Sequence, residues 1–404
     1  MAFKTAILVI ALAVLMPSIY DLAQKLLLMY NNAPGRIVQI NNLKSFEIKF
    51  PETIRSCEDS LLVQSKGLAI LACDPGREVW NTVMGIFIPG PVANAELYAY
   101  NYSATGSPDS ESLTRFEILG YDPNADLHTL GIAYDEDNSL LYVTNHRQEG
   151  RTIELFKLDL DKFTATHFRT IRHPLFLSPN GIALLNDHEF LVTNDHYFLM
   201  EKSRFLSTLE TQLGLPLSTV LHVDISPVLE DPESPAKADI VARFAFPNGI
   251  ELINETTVAI ASTTNTAVFF YTISRPEPAN SSSLTLTYKS SAQFPFWVDN
   301  IQMSDNGTLF VAGHPHPPTL SKYAFSRHNC GSPEVLATAD ASFQQYCEDG
   351  RCLSGVSKWT ESGGVEHLYL GDDYPTSSTA MFDSKRKVGI ISSLYGKGIM
   401  VWRE

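Results

Sequence analysis

An asparagine precedes a Gly-Ile pair twice in this chain, at Asn180 in "SPNGIALL" and at Asn248 in "FPNGIELI". A related stretch, "WVDNIQM", carries Asp299 and Asn300 at the same place, and "CEDS" near the N-terminus adds Glu58. Carboxylate and amide oxygens are the ligands that Ca²⁺ prefers, and the ion takes about six to eight of them. If the fold gathers these side chains, the sequence predicts a calcium site.

Asn-Gly is also the commonest turn dipeptide, so a single "PNGI" more often marks a turn than a metal ligand. The turn interpretation predicts no relation between the copies. Here each copy keeps a side-chain oxygen, a following isoleucine and a hairpin in the same order. This repetition favours the metal interpretation.

The same strand-turn-strand unit recurs along the chain, with copies that begin 50 to 68 residues apart, at Gly67, Gly131, Gly181, Gly249 and Asn300. Helical periodicity is nearly absent after residue 32, apart from "FLSTLETQLGL". A four-stranded blade and its loops need roughly 40 to 50 residues or more, so the spacing corresponds to about six blades. We therefore predict an all-β chain, a six-bladed β-propeller over residues 33–404, whose C-terminal strands close the ring against the N-terminal part.

The N-terminus, "MAFKTAILVIALAVLM", has a lysine ahead of an apolar run, the layout of a secretory signal. We predict a signal peptide or signal anchor over residues 1–32. No clear cleavage site follows, and the apolar residues of "DLAQKLLLMYNN" lie at helical spacing. This pattern leaves an uncleaved anchor or a helix lying on a membrane as open alternatives, and with them membrane association through the N-terminus.

Four glycosylation sequons predict passage through the secretory pathway and a lumenal or extracellular propeller, either secreted or membrane-anchored; they lie at Asn101, Asn254, Asn280 and Asn306. The five cysteines are an odd number, so at least one has no partner within the chain. The pair in "YCEDGRC" is close enough for a small-loop disulfide.

Composition and charge restrict the function. Apolar residues make up 44% and charged residues 19% of the 404 positions, as in a globular protein. The net charge of −15 argues against a nucleic-acid partner, because such binding depends on Lys and Arg neutralising phosphates. No CxxC or HExxH supports a zinc site, and no GxSxG supports a serine nucleophile.

Taken together, the motifs resemble the paraoxonase/arylesterase family of calcium-dependent six-bladed propeller hydrolases. The matching stretches run in family order from about residue 35 to the C-terminus: "CEDS", "VTNH", "SPNGIALL", "TNDHYFL", "FPNGI", "WVDNI" and "VAGHPH". "TNDHYF" is the most specific of them. The resemblance implies hydrolysis of carboxylic esters or lactones, an arylesterase or lactonase activity on small molecules.

Carried over position by position, the resemblance implies a catalytic calcium held by five residues, Glu58, Asn180, Asn248, Asp299 and Asn300. A second, structural calcium would use Asp59 and the backbone carbonyl of Ile132. His146 matches the second member of the family's catalytic histidine pair, and His196 and His314 match other histidines of the site region. The family's retained hydrophobic N-terminus fits as well.

Three positions depart from the family pattern. Leu130 stands where the catalytic histidine precedes Gly-Ile, and Gly181 replaces the second carboxylate of the structural calcium. No cysteine lies near the C-terminus for a ring-closing disulfide. We therefore expect one calcium, at most a weakened second site, and a mechanism without the full histidine pair.

Two functions follow from these expectations. In a hydrolase, a bound cation would stabilise the oxyanion, and the proton would pass to Glu58, Asp299 or His128, which alternates to the same strand face as Leu130. The alternative is a non-catalytic propeller that keeps calcium for stability and acts as a pseudoenzyme or interaction scaffold.

Overall fold

A computed structural model of the protein describes residues 16, 20–104, 108–275 and 284–404. Within these ranges, helix α1 (residues 20–31) is followed by two short strands, β1 (Ile40–Asn41) and β2 (Phe46–Lys49). Lys25 of α1 donates a hydrogen bond to Asn265, and Asn32 donates to the carbonyls of Pro295 and Pro315. These contacts dock the helix on one face of the domain.

Blades 1 to 3 follow in chain order. Blade 1 comprises β3 (Cys57–Val63), β4 (Leu68–Cys73), β7 (Glu96–Asn101) and β8 (Leu113–Arg115). The connection from β4 to β7 contains the 3₁₀ helix η1 (Pro75–Glu78), β5 (Trp80–Asn81) and β6 (Ile86–Phe87), and the connection from β7 to β8 contains α2 (Asp109–Ser112). Blade 2 comprises β10 (Thr129–Asp135), β11 (Leu140–Arg147), β12 (Gly150–Asp159) and β13 (Thr164–Ile171), with β9 (Glu117–Leu119) on its outer edge. Blade 3 comprises β14 (Pro179–Leu184), β15 (Glu189–Asn194), β16 (Ser218–Asp224) and β17 (Lys237–Phe244), with helices α3 (Arg204–Leu213) and α4 (Ser226–Glu230) in its loops.

Blades 4 to 6 complete the ring. Blade 4 comprises β18 (Pro247–Asn254), β19 (Thr257–Ser262), β20 (Ala267–Ser274) and β21 (Thr285–Gln293). Blade 5 comprises β22 (Trp297–Met303), β23 (Leu309–His314), β24 (Ser354–Thr360) and β25 (Gly364–Gly371), with β1 at its edge. Three helices are inserted between β23 and β24: α5 (Pro317–Cys330), α6 (Pro333–Thr338) and α7 (Ala341–Asp349). Blade 6 comprises β26 (Ser377–Asp383), β27 (Val388–Ser393), β28 (Ile399–Arg403) and β2.

The predicted six-bladed propeller is thus confirmed, and so is its closure. β2, from the N-terminal part, pairs antiparallel with the C-terminal strand β28, with Phe46 opposite Trp402. The ring is therefore closed by backbone hydrogen bonds between the two ends of the propeller, which leaves no unpaired edge at the junction.

The core lies between neighbouring blades, because successive side chains of a strand point to opposite faces of its sheet. In β4, Ile70 packs in the cluster shared with blade 2, whereas Leu71 packs in the cluster shared with blade 6. Comparable clusters fill the other four junctions. Burial on both faces explains why the inner strands are apolar at nearly every position rather than at alternate ones.

The helices agree with the sequence only in part. The expected helix in "FLSTLETQLGL" is present as α3, but α5, α6 and α7 were not predicted. Among the described residues no helix is long and apolar enough to cross a membrane. Of the sequons, Asn254 and Asn306 are exposed and Asn101 is partly exposed, while Asn280 lies outside the described residues.

The small-loop disulfide that the spacing of "YCEDGRC" would allow does not form. Cys347, on α7, forms a disulfide with Cys330 at the end of α5, and Cys57 pairs with Cys73 across β3 and β4. Cys352 is free and buried in a cluster against Leu320 of α5. The unpredicted helices explain this pairing, because α7 packs against α5 and brings Cys347 to Cys330.

We expect the stability of blade 6, which closes the ring, to depend on the buried side chain of Trp402. Trp402 is 2% exposed and stacks on Phe382, with ring centroids 5.9 Å apart. Trp402→Ala should lower the free energy of unfolding by about 3–5 kcal/mol, the usual cost of truncating a buried aromatic side chain. Denaturant titration followed by circular dichroism measures it. The exposed Phe205→Ala is the control, and equal stability of the two variants would contradict the assignment of Trp402 to the closure.

Candidate metal centre and active site

The first strand of every blade lines the central channel and carries a register irregularity at the same place. Six positions share this irregularity, one in each blade: Glu58, Leu130, Asn180, Asn248, Asp299 and Ser378. Such bulges turn a side chain out of the regular alternation of the strand. The structure therefore brings the repeated residues of the sequence to one end of the channel.

Two details of the repeat were wrong. The copy that begins at Gly67 is β4, the second strand of blade 1, and the position equivalent to Asn180 in that blade is Glu58 in β3. The copy in blade 6, at Ser378, was missed because "SSTAMF" lacks the Gly-Ile pair. The turn interpretation of "PNGI" is also wrong, since Asn180 and Asn248 both lie within strands.

Glycine follows three of these residues because neighbouring inner strands approach too closely for a side chain. A Cβ atom on Gly131 would lie 2.2 Å from the carbonyl oxygen of Asn180, and one on Gly181 would lie 2.9 Å from that of Asn248. On Gly249 it would lie 2.7 Å from the Cα atom of Asn300. Any larger residue would force the inner strands apart.

Threonine hydroxyls fix the same junctions from the second strands of the blades. Thr144 donates to the carbonyl of Asn180 at 3.1 Å, and Thr193 donates to that of Asn248 at 2.7 Å. Thr263, just after β19, donates at 2.7 Å to the carbonyl of Val298, which precedes Asp299. Each bond joins one blade to the inner strand of the next, so the positions of the channel residues depend on their neighbours.

Five side chains with oxygen ligands are buried together at this end of the channel, with exposures between 1% and 5%: Glu58, Asn180, Asn248, Asp299 and Asn300. Three of their oxygens, Glu58 Oε2, Asn180 Oδ1 and Asn248 Oδ1, accept no hydrogen bond from any described residue. Buried acceptors without a partner are rare, because each loses its hydration without compensation. A hard cation would satisfy all three.

The amide nitrogens explain why these oxygens face the channel. Asn180 Nδ2 donates to Asp195 at 3.3 Å, and Asn248 Nδ2 donates to Thr263 at 3.2 Å. Asn300 Nδ2 donates to Glu58 Oε1 at 3.1 Å. With the nitrogen end of Asn180 and Asn248 held by the surrounding blades, the oxygen end is left free.

The charge balance also favours a cation. Burial raises the pKa of the Glu58 carboxyl well above its usual range; Arg77 opposes this shift, and the nearby carboxylates of Asp299 and Asp59 add to it. A cation among these carboxylates would lower the pKa of Glu58 again. In the described part of the chain, no three His, Cys, Asp or Glu side chains form a metal-binding group. The fit to calcium therefore depends on the amide oxygens.

The second predicted site fits a metal less well. Asp59 already accepts hydrogen bonds from Ser60 N at 2.8 Å, Thr379 Oγ1 at 3.0 Å and Ile132 N at 2.8 Å. Burial raises the pKa of Asp59 to about 6, against the effect of these donors. At Gly181 there is no room for the carboxylate that the resemblance would place there.

A cavity of about 340 Å³ opens above the five oxygen-bearing residues. Four of the five line it, together with Leu130, and its walls are largely apolar, formed by residues such as Val83, Met84, Met200, Phe246, Trp297, Phe325 and Leu394. Helix α3 contributes Thr208 and Thr211, and the unpredicted helix α5 contributes Leu320 and Phe325. The site is thus a polar floor beneath an apolar chamber, typical of a small-molecule site.

Two of the predicted histidines line this cavity. His196 is held at both nitrogens, by Asp195 Oδ1 and by Thr211 Oγ1, each at 2.8 Å. His314 holds Asp299 Oδ2 through Nε2 at 2.8 Å, while its buried Nδ1 has no partner among the described residues. His314 is therefore the cavity imidazole with a free nitrogen, and its position opposite Trp297 at the end of β23 was not evident from the sequence.

The other two histidines lie behind Leu130, in the wall of a second cavity of about 10 Å³. His146 bonds the carbonyl of Pro179 through Nε2 at 2.7 Å and Thr82 through Nδ1. His128 Nδ1 lies 3.3 Å from Asp74, and its Nε2 has no hydrogen-bond partner among the described residues. Neither ring lines the main cavity, whereas Leu130, Arg77 and Asn81 line both cavities and so lie between them.

Comparisons with known proteins agree with this geometry. The model of the Arylesterase family matches residues 109–365. The chain belongs to this family. It is 30% identical over 252 residues to human "Serum paraoxonase/arylesterase 1", covering 60% of this chain and 64% of that protein. It is 25% identical over 171 residues to rabbit "Serum paraoxonase/lactonase 3", covering 41% of this chain and 45% of that protein. The matches thus span less than two thirds of these relatives' length.

Among solved structures, a periplasmic gluconolactonase of Pseudomonas aeruginosa aligns with a TM-score of 0.44 at 10% identity, covering 81% of this chain and 75% of that one.

The buried His146 should make stability depend on pH. Burial lowers the pKa of His146 to about 3, whereas an unfolded chain protonates it near its ordinary value of 6.5. Protonation therefore favours the unfolded state as pH falls below about 6.5, and at pH 5 the loss from this group is about 2 kcal/mol relative to pH 8. His146→Gln should remove that part of the difference in unfolding free energy between pH 8 and pH 5. The half-buried His188→Gln is the control, and an unchanged pH dependence in His146→Gln would refute the assignment.

Proposed function

We propose that this protein is a calcium-dependent hydrolase of carboxylic esters or lactones. The observation that carries the proposal is the set of three buried, unpartnered oxygens, on Glu58, Asn180 and Asn248, at the floor of an apolar cavity. The names of the relatives, arylesterase and lactonase, support this class of reaction.

The residues that would hold the ion are Glu58, Asn180, Asn248, Asp299 and Asn300. Bound calcium would polarise the substrate carbonyl and stabilise the oxyanion, an effect worth several kcal/mol in metal hydrolases. The apolar walls would bind the acyl or aryl part of the substrate and exclude bulk water, which strengthens electrostatic interactions at the floor. The residues that line the cavity thus form a polar floor, which would hold the ester or lactone group, and apolar walls, which would hold the rest of the substrate.

The proton of the attacking water needs an acceptor, and Leu130 cannot take it. His128 and His146 lie behind the leucine and do not line the cavity. We assign this role to His314, whose Nδ1 is free, while Asp299 accepts from its Nε2 and orients the ring. Glu58 and Asp299, which the sequence also suggested as proton acceptors, would instead act as metal ligands.

A second candidate function is favoured by the substitution at position 130. A propeller that keeps calcium for stability and binds a ligand without turnover would need the metal ligands but no base at this position. Leu130 is buried in the cavity wall and fits that interpretation as well. The activity measurements below separate the two.

We also propose that the propeller is glycosylated and faces the lumen or the cell exterior. Two disulfides, Cys57–Cys73 and Cys330–Cys347, are typical of proteins folded in an oxidising compartment. The exposed sequons at Asn254 and Asn306 agree with this location. Helix α1 exposes Leu26 and Leu27, among other apolar side chains, which supports association with a membrane surface.

Removal of one amide ligand should weaken metal binding and stability together. We expect one calcium per chain by native mass spectrometry, and a lower calcium content and melting temperature in Asn248→Ala, because the other ligands are left with an incomplete shell. The exposed Asn138→Ala is the matched control and should behave as wild type. A wild-type protein that stays calcium-free at millimolar calcium would disprove the metal centre, and two tightly held ions would contradict the weakened second site.

The substitution at position 130 should limit the rate rather than abolish it. General-base assistance contributes about 10²–10⁴-fold, so His314→Gln should lower kcat on lactones and aryl esters by about this factor, and Leu130→His should raise kcat by less, because His314 already takes the proton. His146→Ala should have a much smaller effect, because its ring does not line the cavity. The measurement is kcat/KM for each variant with and without a chelator.

Inactivity of both the wild type and Leu130→His, with calcium bound, would favour the non-catalytic propeller. Activity that survives chelation would instead argue against any role of the metal in the reaction.

A further inference from the structure

Arg77 is a buried cation at the cavity floor that the proposed mechanism does not use. It lies in η1, directly after β4, and is 3% exposed. Asp74 caps this short helix by accepting from the Gly76 amide at 2.9 Å, and the disulfide of Cys73 anchors the preceding strand. The guanidinium is therefore held on a rigid support and lines the same cavity as Glu58.

The guanidinium has few partners in the protein. Its Nη2 donates to the backbone carbonyl of Thr129, and its Nε has no partner among the described residues. No carboxylate oxygen of the described residues lies within 4.0 Å of its nitrogens. Glu58 lines the same cavity and is close enough for Arg77 to lower its pKa, yet the two form no ion pair.

A buried charge without an ionic partner is destabilising, because the charge loses its hydration without compensation. Arginine at such a position is a common means of binding an anion, because its planar fork matches the two oxygens of a carboxylate. One donor of this fork, the buried Nε, has no hydrogen-bond partner among the described residues. The missing partner of Arg77 is therefore an anion that the described residues do not provide.

The rest of the cavity restricts what that anion can be. Besides Arg77 and the polar residues Glu58 and Asn81, the lining includes four apolar residues, Val83, Met84, Leu130 and Leu394. Such walls suit a hydrocarbon chain or ring and disfavour a small hydrated ion or a multiply charged one. The chemistry points to an amphiphilic monocarboxylate, with its charge at the floor and its apolar part along the walls.

We propose that Arg77 binds the carboxylate of such a ligand, and that this ligand is the acid released in the proposed reaction. The second part rests on the proposed function. Hydrolysis adds water across the acyl C–O bond and yields an alcohol and a carboxylic acid; the acid ionises, and its proton passes to solvent. A lactone gives both groups in one molecule. Arg77 would hold the new carboxylate at the floor until the product leaves.

Two probes of the same shape test the charge recognition. Octanoate and octanamide differ in charge but hardly in size, so calorimetric titration of each compares carboxylate with neutral amide in one cavity. We expect wild-type protein to bind octanoate at least about tenfold more tightly, as one charge-assisted contact provides. Titration in calcium and in chelator separates the contribution of Arg77 from that of a bound metal.

Arg77→Met should weaken octanoate binding about 10- to 100-fold and leave octanamide within about twofold, which also shows that the cavity is intact. Arg77→Lys, which keeps the charge but not the fork, should lose part of the preference and serves as a second variant if methionine prevents folding. Arg204→Met is the matched control, because Arg204 also lines the cavity and donates to one carbonyl, that of Gly85, but is exposed rather than buried.

Equal binding of the two probes by wild type, no binding of either probe, or an undiminished preference in both Arg77 variants would overturn the proposal. The test also separates it from the proposed function. Carboxylate preference without any turnover would leave Arg77 as an anion site in a non-catalytic propeller. Turnover without carboxylate preference would leave the hydrolase and remove the role of Arg77.

Discussion

The close approach of the six inner strands is the constraint on which the rest of the structure depends. Neighbouring backbones come so near at Gly131, Gly181 and Gly249 that a Cβ atom would overlap the next strand. The threonine hydroxyls of Thr144 and Thr193 bridge the same junctions. Because no blade can move inward or outward alone, the bulge residues keep a fixed arrangement around the axis, and the channel becomes a rigid set of oxygen donors.

The sequence predicted this arrangement well where the repeat carries its signal. Asn180, Asn248 and Asp299 were placed correctly on the inner strands because each precedes the same Gly-Ile or Asn-Ile pair. Ser378 in blade 6 was missed because its role there is a hydrogen bond to the Glu58 carbonyl, which needs a hydroxyl but no glycine. Register could therefore be predicted only where a Gly-Ile or Asn-Ile pair follows the channel residue.

The cavity walls could not be predicted from the repeat at all. Helix α5 follows β23 as an insertion, and only tertiary packing determines that it covers the channel. Arg77 gave no signal, because a single arginine in "CDPGREVW" is compatible with an exposed loop. Its burial becomes apparent only in the structure, where Arg77 of η1 lines the cavity. Local sequence thus specifies the residues at the floor of the site, whereas long-range contacts determine the cavity walls and the burial of Arg77.

The division of the site among blades explains how the substitution at position 130 can leave the floor unchanged. The oxygen-bearing residues come from blades 1, 3, 4 and 5, whereas Leu130 comes from blade 2. In place of an imidazole, the leucine adds apolar surface to the cavity, while His128 and His146 line a separate small cavity. Those histidines keep their bonds to Asp74 and Pro179, so they still stabilise the inner strands. The proton acceptor that we propose for this cavity therefore comes from another blade: His314 of blade 5 bonds Asp299 through Nε2, and its Nδ1 has no partner among the described residues.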